Sequence, residues 1–255
     1  MNTLLYLLPV CAMLYTAPKA TPEPHTIYLN KSFFRFGDQL ITLEKYKQGG
    51  ETSYVLVSLH SNEAPAIRAA MEFAHTHSAV FLRLLNQEQR MVEADFFDQK
   101  VRFDPNQVFT TWGRRIELRE NDCFNKLTNL RVQQFARFIL GEIRPGKTIV
   151  SVHNTETANS INIYNGAFEK EAKEVYINPE KDAADYFITG EEHYFNSLKA
   201  QGYNVVLLHR SRMKDDGSLA VYCSKANQPY VIVNARGSHT EEQVRMIEAV
   251  DRMLK

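Results

Sequence analysis

The feature that most constrains the fold is a device used twice, an apolar run that ends on a histidine. YVLVSLHSNE at 54–63 is β-branched, aromatic or aliphatic with hardly a polar break until His60, which suits a strand buried on both faces of a sheet. Pro65 then stands at a first helical position and AIRAAMEFAHTH supplies helix formers, so the unit is strand, short loop, helix. KTIVSVHNT at 147–155 repeats the pattern and ends on His153. In open α/β sheets, ligands gather at the carboxyl ends of strands. His60, Glu63 and His153 all fall at such ends. The His-x-x-Glu spacing also occurs at His153/Glu156 and His239/Glu242, so spacing alone does not choose among the pairs.

The remaining chain supports an α/β reading. IYLNKSFFRFG and QLITLEKYKQ predict a leading pair of strands, and Gly49-Gly50 a turn into the first histidine-bearing strand. AVFLRLLN, DYFIT, NVVLLHR and PYVIVNA are further strands, and KDDGS is a turn. Helical spacing of Leu127, Leu130, Phe135, Phe138 and Ile139 predicts a helix over 126–143, closed by Arg144-Pro145-Gly146. Another helix falls between Gly190 and Gly202. The C-terminal HTEEQVRMIEAVDRMLK places Val244, Ile247, Val250, Met253 and Leu254 on one side, acids early and bases late. The segment 95–115, with Pro, Gly, aromatics and clustered charge but no sustained period, reads as a long functional loop; residues 161–175 are ambiguous. Strands alternating with helices give a single α/β domain with a mixed β-sheet flanked by helices.

With 255 residues, 30 basic against 30 acidic and 44% hydrophobic, the chain is long enough for one large core. That balance points to neither nucleic acid nor an acidic surface as partner. Residues 1–20 differ: LLYLLPVCAMLYTA is apolar and PKATPEP follows, which reads as a signal peptide before a domain at 21–255, and hence as an exported, periplasmic or extracellular protein. An uncleaved anchor competes, although the run is short of the roughly 20 residues a spanning helix needs. Cys123 and Cys223 fit buried thiols better than a disulfide.

Zinc hydrolases commonly use two histidines and a carboxylate and leave one position open; His60, Glu63 and His153 supply that set. The plain alternative is that the histidines are hydrogen-bonded core or loop residues and Glu63 a favourable charge at a helix start. LHSNE at 59–63, FDPNQVFT at 103–110, VSVHNT at 150–155, DDGSLAVYC at 215–223 and YVIVNARGSHTEEQVRM at 230–246 occur in an order that resembles the zinc carboxypeptidase superfamily, nearest its succinylglutamate desuccinylase and aspartoacylase-like branch. The likeness spans residues 54–255. It implies a zinc carboxypeptidase-like, phosphorylase/hydrolase-like fold, one zinc ion on His60, Glu63 and His153, and hydrolysis of an amide bond beside a carboxylate. The substrate would be a small peptide, cell-wall fragment or N-acyl amino acid.

Three departures bear on that expectation. Ser61 replaces the glycine of the family's HGNE motif. Asn106-Gln107 stands where the family has Asn-Arg, so the bidentate cation for a substrate carboxylate is missing; Arg114 and Arg115 are candidate stand-ins, while Arg102 resembles the arginine the family uses near the scissile carbonyl, where it would help stabilise the oxyanion. Arg102 as a solvated loop charge and Asn106 as a turn residue are equally weighted. Asn234 occupies the position of the family's general-base glutamate, and an amide cannot take a proton from water. Glu192, Asp216, Glu241 and Glu242 are acids that would substitute for it, against ordinary roles in turns and first helical turns. A zinc- and ligand-binding protein with impaired catalysis is therefore the alternative function, and a zinc-free structural module a third.

Overall fold

In the computed structural model, which describes residues 28–155 and 170–255, the apolar runs form the middle of a nine-stranded mixed sheet. In chain order the elements are β1 (Tyr28–Phe36), β2 (Gln39–Gln48), β3 (Tyr54–Ser58), α1 (Ala64–Thr76), β4 (Ala79–Leu85), β5 (Val92–Phe96), β6 (Gln99–Phe103), α2 (Thr111–Glu120) and α3 (Lys126–Glu142). They continue with β7 (Thr148–Thr155), β8 (Ala172–Tyr176), β9 (Tyr186–Thr189), α4 (Glu192–Ala200), β10 (Asn204–Leu208), α5 (Leu219–Lys225), β11 (Tyr230–Arg236) and α6 (Thr240–Leu254). The sheet order is β1-β2-β4-β3-β7-β11-β9-β10-β8. Neighbours β4, β3, β7 and β11 run parallel, so the ends of β3 and β7 lie side by side.

Two-residue alternation decides which face each side chain serves. Tyr54, Leu56, Val150, Val152, Val231 and Val233 point to one face and pack with α1, α4 and α6. Val55, Val57, Ile149 and Tyr230 point to the other, where Phe103 and Phe135 also pack. Helix starts are fixed locally: the side chains of Thr110, Asn125 and Ser218 accept from the backbone N–H of Gly113, Thr128 and Val221. Cys123 and Cys223 are buried free thiols.

Two sequence expectations change. The segment 95–115 holds the turn of the β5/β6 hairpin, β6 itself and the start of α2 rather than one loop. The hairpin's alternating inward residues Val92, Ala94, Val101 and Phe103 are buried, but charged residues on the outer face mask the period. α2 turns Arg114 and Glu117 inward, so it has no continuous apolar stripe to detect. In α3 the buried side is Thr128, Val132, Phe135, Ala136 and Ile139, while Leu127 and Leu130 are 59% and 49% exposed. The expected signal peptide at 1–20, Glu156 and the first part of the ambiguous 161–175 lie outside the described residues; the last part of that segment opens β8. Among the described residues no helix is long and apolar enough to cross a membrane.

The segment leading into α5 is held by a close backbone contact. Gly217 has φ +83°, and a Cβ there would meet the Gln107 carbonyl oxygen at 2.2 Å, while its own carbonyl accepts from Phe109 N–H at 2.8 Å. Gly217→Ala is expected to destabilise the protein by more than about 1 kcal/mol in urea denaturation, because alanine is both strained and crowded there; an unchanged midpoint and slope would contradict this.

Candidate metal centre

The end of β3 delivers His60, the following turn delivers Glu63, and β7 delivers His153. Their ligand atoms all lie within 4.8 Å of one another. His60 Nδ1 is 2.9 Å from Glu63 Oε1 and His153 Nδ1 is 3.1 Å from Glu63 Oε2. The far nitrogens are tied elsewhere: His60 Nε2 lies 2.8 Å from Asp104 Oδ1, and His153 Nε2 lies 2.8 Å from Ser151 Oγ. Both rings thus present the same nitrogen inward. Outer partners of this kind fix the ring orientation of metal-binding histidines and, when acidic, raise ligand basicity.

Further contacts hold the cluster. Gln243 of α6 donates to the His153 carbonyl at 2.8 Å and accepts from Asn154 Nδ2 at 3.1 Å. Asn154 Oδ1 in turn accepts from the Ala66 N–H of α1 at 2.8 Å. Ser61 accepts from Asn86 N–H at 3.1 Å, so its hydroxyl links the ligand turn to the segment after β4. That segment carries Arg90, whose guanidinium sits 3.2 Å from Glu63 and 3.1 Å from Asp104.

Burial works against charge at His60, but the hydrogen-bonded carboxylates of Asp104 and Glu63 outweigh it and raise its pKa. Burial likewise opposes ionisation of Glu63 and Asp104; His153 and His60 overcome it for Glu63, and His60 and Arg90 for Asp104, leaving both below the ordinary carboxylate range. The donor set, two imidazoles and a carboxylate with anchored outer nitrogens, fits a zinc ion with an open position. Asp104→Ala is expected to weaken zinc binding by about 10–100-fold, measured by competition with a chromophoric chelator. Unchanged affinity would remove Asp104 from the site.

A cleft of about 290 Å3 opens beside the cluster, lined by His60, Glu63, Arg90, Asn106, His153 and Asn234 among others. It lies over one face of the sheet. Ile149, Ser151 and His153 of β7 follow one another along it, level in register with Tyr230, Ile232 and Asn234 of β11. The row at His153 is polar and the row at Ile149 is apolar.

The sequence-derived candidates divide. Asn106 lines the cleft, its Oδ1 accepting from Leu219 N–H at 3.2 Å. Asn234 also lines it; the residue is 6% exposed and its Nδ2 has no hydrogen-bond partner. Gln107 is not on the cleft wall; its backbone packs on Gly217. Arg102 pairs with Glu93 at 3.0 Å across the β5/β6 hairpin and is 57% exposed, so cross-strand pairing takes it away from the cluster. Arg114 is buried, donating to the Val108 and Thr110 carbonyls; these bonds commit it to holding the start of α2. Arg115 is exposed on α2 and outside the cleft. His239 pairs with Asp185 at 2.7 Å and lies apart from the ligand group. Of the acids considered as substitutes for a base, Asp216 reaches the cleft wall, while Glu242 pairs with Lys181 and Arg245 and Glu192 with Lys173.

Sequence reasoning missed Arg90, Asp104 as the partner of His60, and Glu171 on the cleft wall. Asp104 had a signal, standing two residues before Asn106 in a quoted motif; Arg90, in NQEQR, had none.

No protein-family model and no curated protein matches the chain. Solved structures of the cell shape determinant protein Csd4 from Helicobacter pylori are similar. A single-residue variant aligns with TM-score 0.44 at 12% identity, covering 80% of this chain and 51% of that chain. The tripeptide-bound form aligns with TM-score 0.42 at 11% identity, over 80% and 51%. This chain therefore spans about half the length of the structures it matches, and nothing about ligand or activity passes from them at that level of likeness.

Proposed function

We propose that the chain is an exported zinc-dependent hydrolase of amide bonds in small peptides, cell-wall fragments or N-acyl amino acids, with His60, Glu63 and His153 as the zinc ligands. The observation that carries this reading is the convergence of those three donors, with outer nitrogens anchored, on the wall of a cleft of about 290 Å3. When bound, zinc supplies Lewis-acid chemistry, polarising a carbonyl and acidifying water.

The residues around it have separable tasks. Asp104 and Ser151 hold the imidazoles in orientation. Arg90, the only lysine or arginine on the described cleft wall, orients Glu63 and Asp104, and its remaining N–H donors serve developing negative charge on a substrate oxygen. Asn106 has its amide nitrogen left for a ligand once its oxygen accepts from Leu219. Asn234 donates but cannot carry a proton to a leaving amine, so turnover is slow.

The test is to load purified protein with one equivalent of zinc and assay a panel of peptides and N-acyl amino acids. Zinc-dependent release of an amine supports the hydrolase. The unpartnered Asn234 favours one second reading, a zinc- and ligand-binding protein, which predicts binding with no turnover.

A further inference from the structure

The loop that carries Arg90 to the metal centre holds an unfavourable backbone. Residues 86–91 join the end of β4 to the start of β5. Gln87 and Glu88 both lie in the left-handed region, at φ +48° and +57°, the only consecutive non-glycine pair there among the described residues. Gln89 N–H donates to the Asn86 carbonyl at 2.8 Å. Asn86 to Gln89 therefore form a tight turn with positive φ at both central positions, a geometry that favours Asn-Gly or Gly-Gly. A Cβ at each central position crowds the following carbonyl oxygen. Such a turn persists only where the bonds around it over-determine it.

Those bonds centre on the buried Asn86. Its N–H donates to Ser61 Oγ at 3.1 Å and its Nδ2 to the Met91 carbonyl at 2.6 Å. The side chain thus closes the loop across Arg90, and the backbone fastens it to the turn between His60 and Glu63. On the outer side Gln87 Nε2 donates to Gln39 Oε1 at 2.6 Å. Arg90 is what this frame delivers: one Nη lies 3.2 Å from Glu63 Oε1 and the other 3.1 Å from Asp104 Oδ2, although the side chain is half-exposed. A long, half-exposed side chain has many rotamers open to it, so the placement of its backbone decides how well the guanidinium is held at the cleft.

Resting on the metal-centre reading above, we propose that Asn86 and Ser61 are positioning residues for Arg90, holding the strained Gln87-Glu88 turn so that the guanidinium stands against Glu63 and Asp104 and receives an anionic ligand oxygen. Ser61, which replaces the glycine of the HGNE pattern, thereby has a task of its own. Its hydroxyl joins the turn that bears the metal ligands to the loop that bears the cation. Charged groups preorganised in this way act on a ligand without first having to be ordered.

The test uses the full chain loaded with cobalt(II), whose visible bands report an anion entering its coordination sphere, with azide as the probe. Arg90→Ala should weaken azide binding at least about tenfold, as loss of a charge-assisted contact. Asn86→Ala should weaken it at least about threefold in the parent but less than about twofold in Arg90→Ala, because residues acting through one contact are not additive. Gln87→Asn with Glu88→Gly, the pair this turn favours, should restore azide binding to Asn86→Ala by forming the turn without its pins. Crystals of metal-free Asn86→Ala should show the guanidinium displaced from Glu63 and Asp104, with the Glu63 contacts to His60 and His153 kept; Ser61→Ala is the second variant should Asn86→Ala fail to fold. A parent that binds no cobalt would overturn the metal reading, and the metal-free crystals would still decide this proposal. Arg90 unmoved in those crystals, or an Asn86→Ala effect on azide of equal size with and without Arg90, would overturn it.

Discussion

His153→Ala is expected to reduce the zinc content of purified protein from about one ion per chain to a small fraction of that, with secondary structure retained. His153 contributes an imidazole nitrogen 3.1 Å from Glu63, and its removal leaves one histidine and one carboxylate, too few for a tight site. The loss should exceed the about 10–100-fold expected for removal of an outer partner such as Asp104. Its backbone role should survive, since Gln243 bonds the His153 carbonyl rather than the ring. Elemental analysis after gel filtration, beside circular dichroism, measures both. A folded variant that keeps a full equivalent of zinc would show that His153 is a packing residue.

Asn234→Glu is expected to raise turnover at least about tenfold with zinc content unchanged, because it restores a group able to take and return a proton. The position suits that role: Asn234 stands level with His153 across β11 and β7 and lines the cleft. Arg236, two residues on, has its guanidinium held by Asp182 at 3.0 and 3.2 Å, which limits its pull on the new carboxyl. Burial would raise the pKa of a glutamate there, toward the range of a working base. If the parent already turns over quickly and Asn234→Glu slows it, the proton carrier is another residue.

Much of this was legible because buried strands leave a plain signal. YVLVS, TIVSV, NVVLL and YVIVN are apolar whichever face a residue serves, and their ends mark where ligands gather. His60, Glu63 and His153 could be read together because two such ends meet in one parallel arrangement. The arginines could not. Arg102 and Arg114 have the chemistry of a substrate clamp, but cross-strand pairing with Glu93 and backbone carbonyls near α2 consume them. Arg90 enters the site through a loop whose path depends on Ser61 and Asn86, a tertiary contact with no local pattern. The same holds for Glu171 and Asp216, which line one cleft from segments far apart in the chain. α2 escaped notice because its buried residues include an arginine and a glutamate.

The most direct measurement of the central claim is anomalous diffraction at the zinc edge from crystals of the zinc-loaded full chain. One strong peak is expected between β3 and β7, about 2.0–2.1 Å from the inward nitrogens of His60 and His153 and about 2.0–2.2 Å from a Glu63 oxygen. Zinc-loaded crystals with no peak there, or with the peak elsewhere while the Glu63 contacts to both histidines persist, would contradict it.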